Sequence, residues 1–128
     1  METLLLEATV QTPTVNFNGT EGVFEIGGKS NPENAVAFYK KLFEWIDEYV
    51  KTPAAMTNVN IRLEYFNTSS SKCLLTILKK IEAMHESGHD AAINWYCEKG
   101  DVDMLEAAKD YESLIKAPFK IIEATEMF

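Results

Sequence analysis

The chain has 128 residues, enough for one domain with one core, and carries a net charge of −8. An acidic domain with no basic run gains nothing from a phosphate backbone or an anionic lipid surface, so nucleic acid and membrane are excluded as expected partners. Its 46% hydrophobic and 25% charged residues are ordinary for a globular protein. Met1 to Glu7 lacks a basic start and has an apolar run of three, so no signal peptide is expected. Residues 4–10 alternate weakly and predict a strand or an ordered arm. Val15 and Phe17 share a face before the turn Asn18-Gly19-Thr20-Glu21-Gly22, and Val23 to Ile26 follows as a short strand, so residues 14–26 predict a β-hairpin.

Gly27-Gly28-Lys29-Ser30-Asn31 then leads to Pro32 and a helix running to about Lys51. Two starts compete: Ser30 with Glu33 as a capping box, or Asn31 as cap with Pro32 at the first helical position. Ala35, Phe38, Leu42, Trp45, Ile46 and Tyr49 share one face of this helix, and Tyr39 or Phe43 are candidates for exposed contacts. A strand is expected at 58–66, where Val59, Ile61, Leu63 and Tyr65 alternate with Asn60, Arg62, Glu64 and Phe66. A helix follows at about 69–87 and stops at Gly88. Ala91 to Cys97 is a strand. Asp101 can cap a third helix, closed by Pro118, and Phe119 to Ala124 is the last strand.

This order implies right-handed β-α-β crossovers with all helices on one face. The polar residues between the apolar ones agree, because a sheet covered on both sides would be apolar on both. The expected fold is a two-layer α/β domain over residues 1–128, with a mixed sheet of about five strands and three helices on one face. The C-terminal ends of parallel strands would share a rim carrying three loops: Lys29–Asn34, Asn67–Ser71 and Glu98–Asp103. Sites in open α/β sheets gather at such a rim.

On that rim, Asn67-Thr68-Ser69-Ser70-Ser71-Lys72 places four consecutive hydroxyls at a strand-to-helix corner. Free backbone N–H groups and the positive end of a helix dipole make the corner suited to a phosphate. The simpler reading is that Thr68 or Ser69 is an N-cap. Four hydroxyls exceed what one cap needs.

Other constellations carry less. His85-Glu86-Ser87-Gly88-His89 matches HExxH, whose zinc chemistry needs both histidines on one face of a continuing helix. Gly88 falls where the helix should stop, which would point His89 elsewhere. Gly28-Lys29-Ser30 mimics the tail of a P-loop, but position 23 is Val23, so the spacing fails. Glu98, Asp101 and Asp103 fit a cap and a dipole complement, with a weak magnesium or partner contact as the alternative. Cys73 and Cys97 read as reduced, buried, small apolar residues of a cytoplasmic protein. No nucleophile–base set is recoverable, so no enzyme, metal or cofactor is expected.

Three stretches together resemble the SiaC family of bacterial regulatory phosphoproteins. They are Thr12 to Val15 with Gly22 to Asn34, then Leu63 to Lys72, then Asn94-Trp95-Tyr96 with Asp101 to Met104. The likeness spans nearly the whole chain, and its S-x-PEN and NTSS segments are its most specific parts. Lys29 stands where the family often has arginine. The resemblance implies an arrangement like that of STAS-type anti-sigma-factor antagonists and a partner switch without enzyme activity. It aligns Thr68 with the phosphorylated threonine. It implies a dedicated protein kinase, a PP2C-type phosphatase, and a GGDEF diguanylate cyclase that the unmodified form binds and activates, raising cyclic di-GMP and favouring biofilm. The candidate partner contacts are Asn67, Thr68, Ser69, Ser70, Lys72, Ser30, Glu33 and Asn34. The rivals are a small zinc hydrolase using His85, Glu86 and His89, and an adaptor that is never modified.

Overall fold

The computed structural model describes residues 1–125. Among them the elements run β1 (Leu4–Leu6), β2 (Thr14–Asn18), β3 (Val23–Ser30), α1 (Ala35–Tyr49), β4 (Met56–Phe66), α2 (Thr68–Glu86), β5 (Asp90–Glu98), α3 (Val102–Leu114) and β6 (Phe119–Ala124). The strands form one sheet in sequence order. The pairs β1–β2 and β2–β3 are antiparallel, and β3–β4, β4–β5 and β5–β6 are parallel. The sheet is mixed as expected, with six strands rather than about five. Of the 4–10 segment only Leu4–Leu6 pairs, against Phe17 to Val15.

Period-two alternation fixes which face is covered. Phe17, Phe24, Ile26, Val59, Ile61, Leu63, Ile93 and Trp95 are buried. Asn16, Arg62 and Glu64, which alternate with them, are exposed. All three helices pack on the buried face: Tyr39, Leu42 and Ile46 of α1, Leu74, Ile77 and Ile81 of α2, and Met104 and Ala108 of α3 join the same cluster. Each leucine, isoleucine or methionine among them contributes about 1.5–3 kcal/mol on burial. The other face is polar. There the Asn94 amide donates to Asn60 Oδ1 at 3.0 Å, and the Arg62 guanidinium lies 3.8 Å from the Tyr96 ring centre.

The β3–α1 connection differs from both expected helix starts. Gly27-Gly28 does not end the strand. Gly28 takes φ +93° at a bulge before Lys29, and β3 continues to Ser30, paired with Phe66. Ser30 is fully buried, so it caps nothing and forms no capping box with Glu33. Asn31 is not the cap either. Helix α1 begins at Ala35, and Asn34 caps it, its Oδ1 accepting from the Ala37 N–H at 3.1 Å. The Gly28-Lys29-Ser30 triplet thus lies within a strand, not in a phosphate-binding loop. Tyr39, a candidate exposed contact, is 0% exposed instead.

One turn has an unusually narrow tolerance. Gly22 sits at φ +72°, and a Cβ there would run into the Met56 carbonyl oxygen and the Ala54 side chain. Gly22→Ala is therefore expected to destabilise by about 1–3 kcal/mol or more, from strain and clash together. A urea titration against Gly100→Ala, where φ is also positive but no atom lies within 4 Å, separates the two causes.

Candidate functional site

The strand-to-helix corner is built around Asn67. Its backbone is extended, and its Oδ1 accepts from the Ser70 N–H at 2.8 Å while its carbonyl accepts from the Ser71 N–H at 3.0 Å. Asn67, not Thr68 or Ser69, is therefore the N-cap of α2. Its N–H donates to the Ser30 carbonyl at 2.9 Å. Its side-chain amide donates to Asn31 Oδ1 at 3.0 Å and the Pro32 carbonyl at 3.4 Å. One residue thus ties the start of α2 to the segment leading into α1. Asn67→Ala should cost about 1–2 kcal/mol from the lost cap alone. Asn67→Asp keeps the cap acceptor but loses the two donors, so it should fall between Ala and the native residue in denaturant midpoint.

The four hydroxyls separate into different environments. Thr68 and Ser69 are exposed, and Ser71 is half-buried with its Oγ donating to the Thr68 carbonyl at 2.6 Å. Ser70 is 0% exposed. Its Oγ donates to the Ser30 carbonyl at 3.2 Å and accepts from Ser30 Oγ at 2.8 Å. Ser30 Oγ in turn lies 2.7 Å from the Tyr39 hydroxyl, which donates to it. This closed chain Tyr39–Ser30–Ser70 satisfies three buried hydroxyls and locks the first turn of α2 against β3 and α1. Ser30 and Ser70, both candidate contacts, therefore support the corner from inside and present no surface to a partner.

Burial pushes the Tyr39 hydroxyl up from 10.0 to about 12, against the lowering effect of its bond to Ser30. Burial also raises Tyr111, whose hydroxyl donates to the Ser71 carbonyl at 2.8 Å. A phenol with a raised folded-state value holds its proton longer in the folded chain. Its contribution to stability is thus complete below pH 10 and is lost as pH rises toward 12. The native protein is expected to lose more denaturant resistance over that window than Tyr39→Phe does. Equal losses would show that Tyr39 ionisation is not linked to folding.

Thr68 occupies the first position of α2. Its own N–H and that of Ser69 have no acceptor among the described residues. The corner thus combines an exposed hydroxyl, free amide donors and a helix N-terminus. Of the remaining candidates, Ser69, Lys72, Glu33 and Asn34 are exposed and Asn67 is half-buried. Two grooves flank the corner. One of about 390 Å³ lies toward α1 and includes Val36, Phe43 and Ser69. The other, of about 310 Å³, lies toward α3 and includes Phe66, Leu75 and Tyr111. Farther along the rim, Glu64, Tyr65, Asp101 and Asp103 border a third groove of about 360 Å³. Asp101 is the N-cap of α3, its Oδ1 accepting from the Met104 N–H at 3.1 Å, and Asp103 lies in the first turn.

The HExxH segment does not form a metalloprotease face. α2 ends at Glu86, Gly88 takes φ +106°, and His89 lies beyond it. His85 Nδ1 sits 3.2 Å from the His89 backbone carbonyl, so the two rings do not converge as i and i+4 ligands of one helix. Among the described residues, no group of three or more His, Cys, Asp or Glu could hold a metal ion. Cys73 and Cys97 are free and buried, and burial raises both thiols. Among the described residues no helix is long and apolar enough to cross a membrane.

Solved structures share this architecture. Apo-SiaC from Pseudomonas aeruginosa superposes with a TM-score of 0.90 at 26% identity, covering 95% of this chain and 99% of that one. The SiaC of the same organism in complex with the diguanylate cyclase SiaD, of which it is the activator, matches with a TM-score of 0.90 at 25% identity, covering 94% of this chain and 99% of that one. An uncharacterized protein of Pseudomonas aeruginosa (strain UCBPP-PA14) is 26% identical over 121 residues, 94% of this chain and 96% of its own length. The model of the SiaC family of regulatory phosphoproteins matches residues 6–124. The chain therefore belongs to the SiaC family of regulatory phosphoproteins.

Proposed function

We propose that this protein is a cytoplasmic partner-switch domain, without enzymatic activity of its own, whose state is set at Thr68. A protein kinase transfers the γ-phosphoryl group of ATP to Thr68 Oγ1, which gives up its proton. A PP2C-type phosphatase hydrolyses the ester and restores the hydroxyl. The unmodified form binds and activates a GGDEF diguanylate cyclase; the reading is supported by the SiaC of Pseudomonas aeruginosa, which is the activator of the diguanylate cyclase SiaD. The observation that carries this reading is the exposed position of Thr68 at the first residue of α2, on a corner pinned by Asn67. Asn67, Ser69, Lys72, Glu33 and Asn34 would form the surface around it.

The physical logic is asymmetric between the free and bound states. Phosphorylation adds about −1.5 to −2 charge at neutral pH. At the N-terminus of α2 that charge meets the positive end of the helix dipole and two free N–H groups, so the fold tolerates it. Under a docked protein the same charge must be desolvated, which is costly without a matching cation. Modification thus removes binding without refolding the domain. Phosphopeptide mapping of protein recovered from its own cells tests the assignment. An increment of about 80 daltons, one phosphoryl group, is expected on Thr68. The same increment on Ser69 or elsewhere, with Thr68 unmodified, would overturn it.

A further inference from the structure

We propose that Lys72 is a shared cation. In the unmodified protein it pairs with a carboxylate of the bound cyclase, and in the phosphorylated protein it turns to the phosphate on Thr68. This rests on the reading of Thr68 as the modified residue and concerns how that modification is sensed.

Lys72 lies four residues after Thr68 on α2, and both are exposed. Side chains at that spacing are neighbours on a helix surface, about 5–6 Å apart at Cβ. A lysine there can bring its ammonium to a phosphate on the earlier residue. Among the described residues Lys72 pairs with no carboxylate, as is true of most of the chain's basic residues. Lys72 is also the residue that the two grooves beside the corner share. It borders Val36, Phe43 and Cys73 on the α1 side, and Phe66, Leu75, Asp110 and Tyr111 on the α3 side. It is the one cation lining either groove among the described residues.

A segment that fills these grooves must pass over Lys72. Asp110 is the one carboxylate lining either groove and forms no ion pair with Lys72 among the described residues. Covering the ammonium is unfavourable without an anion against it, so a segment that brings its own carboxylate is favoured. The chain as a whole is strongly acidic, with a net charge of −8, and Lys72 provides the local attraction that lets a carboxylate approach. Phosphate on Thr68 then acts twice. It takes the cation the partner needs, and it repels the partner's carboxylate.

The test is a cycle of four proteins titrated against the purified cyclase: native and Lys72→Gln, each with hydroxyl or phosphate at Thr68. Lys72→Gln is expected to weaken the unmodified protein about tenfold and to shrink the penalty of phosphorylation by a similar factor. Lys72→Arg should restore both. An equal phosphorylation penalty in the native and Lys72→Gln backgrounds would overturn the inference, as would full affinity of unmodified Lys72→Gln. No effect of phosphorylation in the native background would instead overturn the reading of Thr68. A second readout needs no partner. The 31P resonance of phosphothreonine 68 at fixed pH should move between native and Lys72→Gln protein, and coincident resonances would count against the contact.

Discussion

Thr68→Asp is expected to weaken binding of the diguanylate cyclase by about 100-fold, while Thr68→Ala binds as the unmodified protein does and no longer responds to the kinase. The figure follows from about 3 kcal/mol for burying a carboxylate in an interface where Lys72, the nearby cation, is already paired with the partner. Aspartate carries one charge where phosphothreonine carries nearly two, so the phosphorylated protein should be weaker still. Both variants should keep the native melting temperature to within a few degrees, because the residue is exposed and a negative charge suits the first turn of a helix. Titration calorimetry and thermal melting of the same preparations check both statements. Wild-type affinity in Thr68→Asp would show that charge at this position is not what the partner senses.

The second large effect lies two residues along. Ser70→Asp is expected to lose about 3–5 kcal/mol of stability, a substantial share of the margin of a small domain. Ser70 is 0% exposed, and its Oγ points at the Ser30 carbonyl and the Ser30 hydroxyl. A carboxylate there would face a carbonyl oxygen with no cation at hand. Ser70→Ala should cost less, about 1–3 kcal/mol, because it leaves hydroxyls short of one partner without adding charge. Urea denaturation of Thr68→Asp and Ser70→Asp side by side is the sharp comparison. Thr68 and Ser70, two hydroxyl residues of one helical turn, should respond unequally to the same substitution, the first hardly at all and the second strongly. A native midpoint for Ser70→Asp would mean that Ser70 opens to solvent readily.

Much of this architecture was legible because periodicity survives in the chain. The alternation Val59, Ile61, Leu63 and the helical recurrence Leu74, Ile77, Leu78, Ile81 each name a buried face, and the structure buries those residues. Sequential crossovers then place three loops on one rim, which the parallel pairing of β3 through β6 bears out. The details that were not legible depend on contacts between distant residues. Gly27-Gly28 reads as a strand end, but a parallel neighbour in β4 carries the pairing on to Ser30 through a bulge. Ser30 and Pro32 both carry sound helix-start chemistry, and Asn34 takes the role because β3 runs on and holds Ser30 inside.

At the corner, the number of hydroxyls was visible and their division was not. Ser70 and Ser30 are 40 residues apart, and nothing local says that they bond to each other or that Ser30 also bonds Tyr39. Tyr39 offered the one available signal, a polar-tipped aromatic which, like Tyr49, lies on the buried side of α1. Buried tyrosines of this kind usually find a hydroxyl or carbonyl partner. The position of Thr68, exposed at the head of α2, was the expectation on which the rest depended, and the structure places it there.

The most direct measurement is the rate at which a GGDEF diguanylate cyclase makes cyclic di-GMP from GTP in the presence of this protein, prepared once with the Thr68 hydroxyl free and once with phosphothreonine installed at position 68. The free form should accelerate synthesis, and the phosphorylated form should leave the cyclase at its basal rate although its own fold is intact. Equal acceleration by both forms would contradict the account.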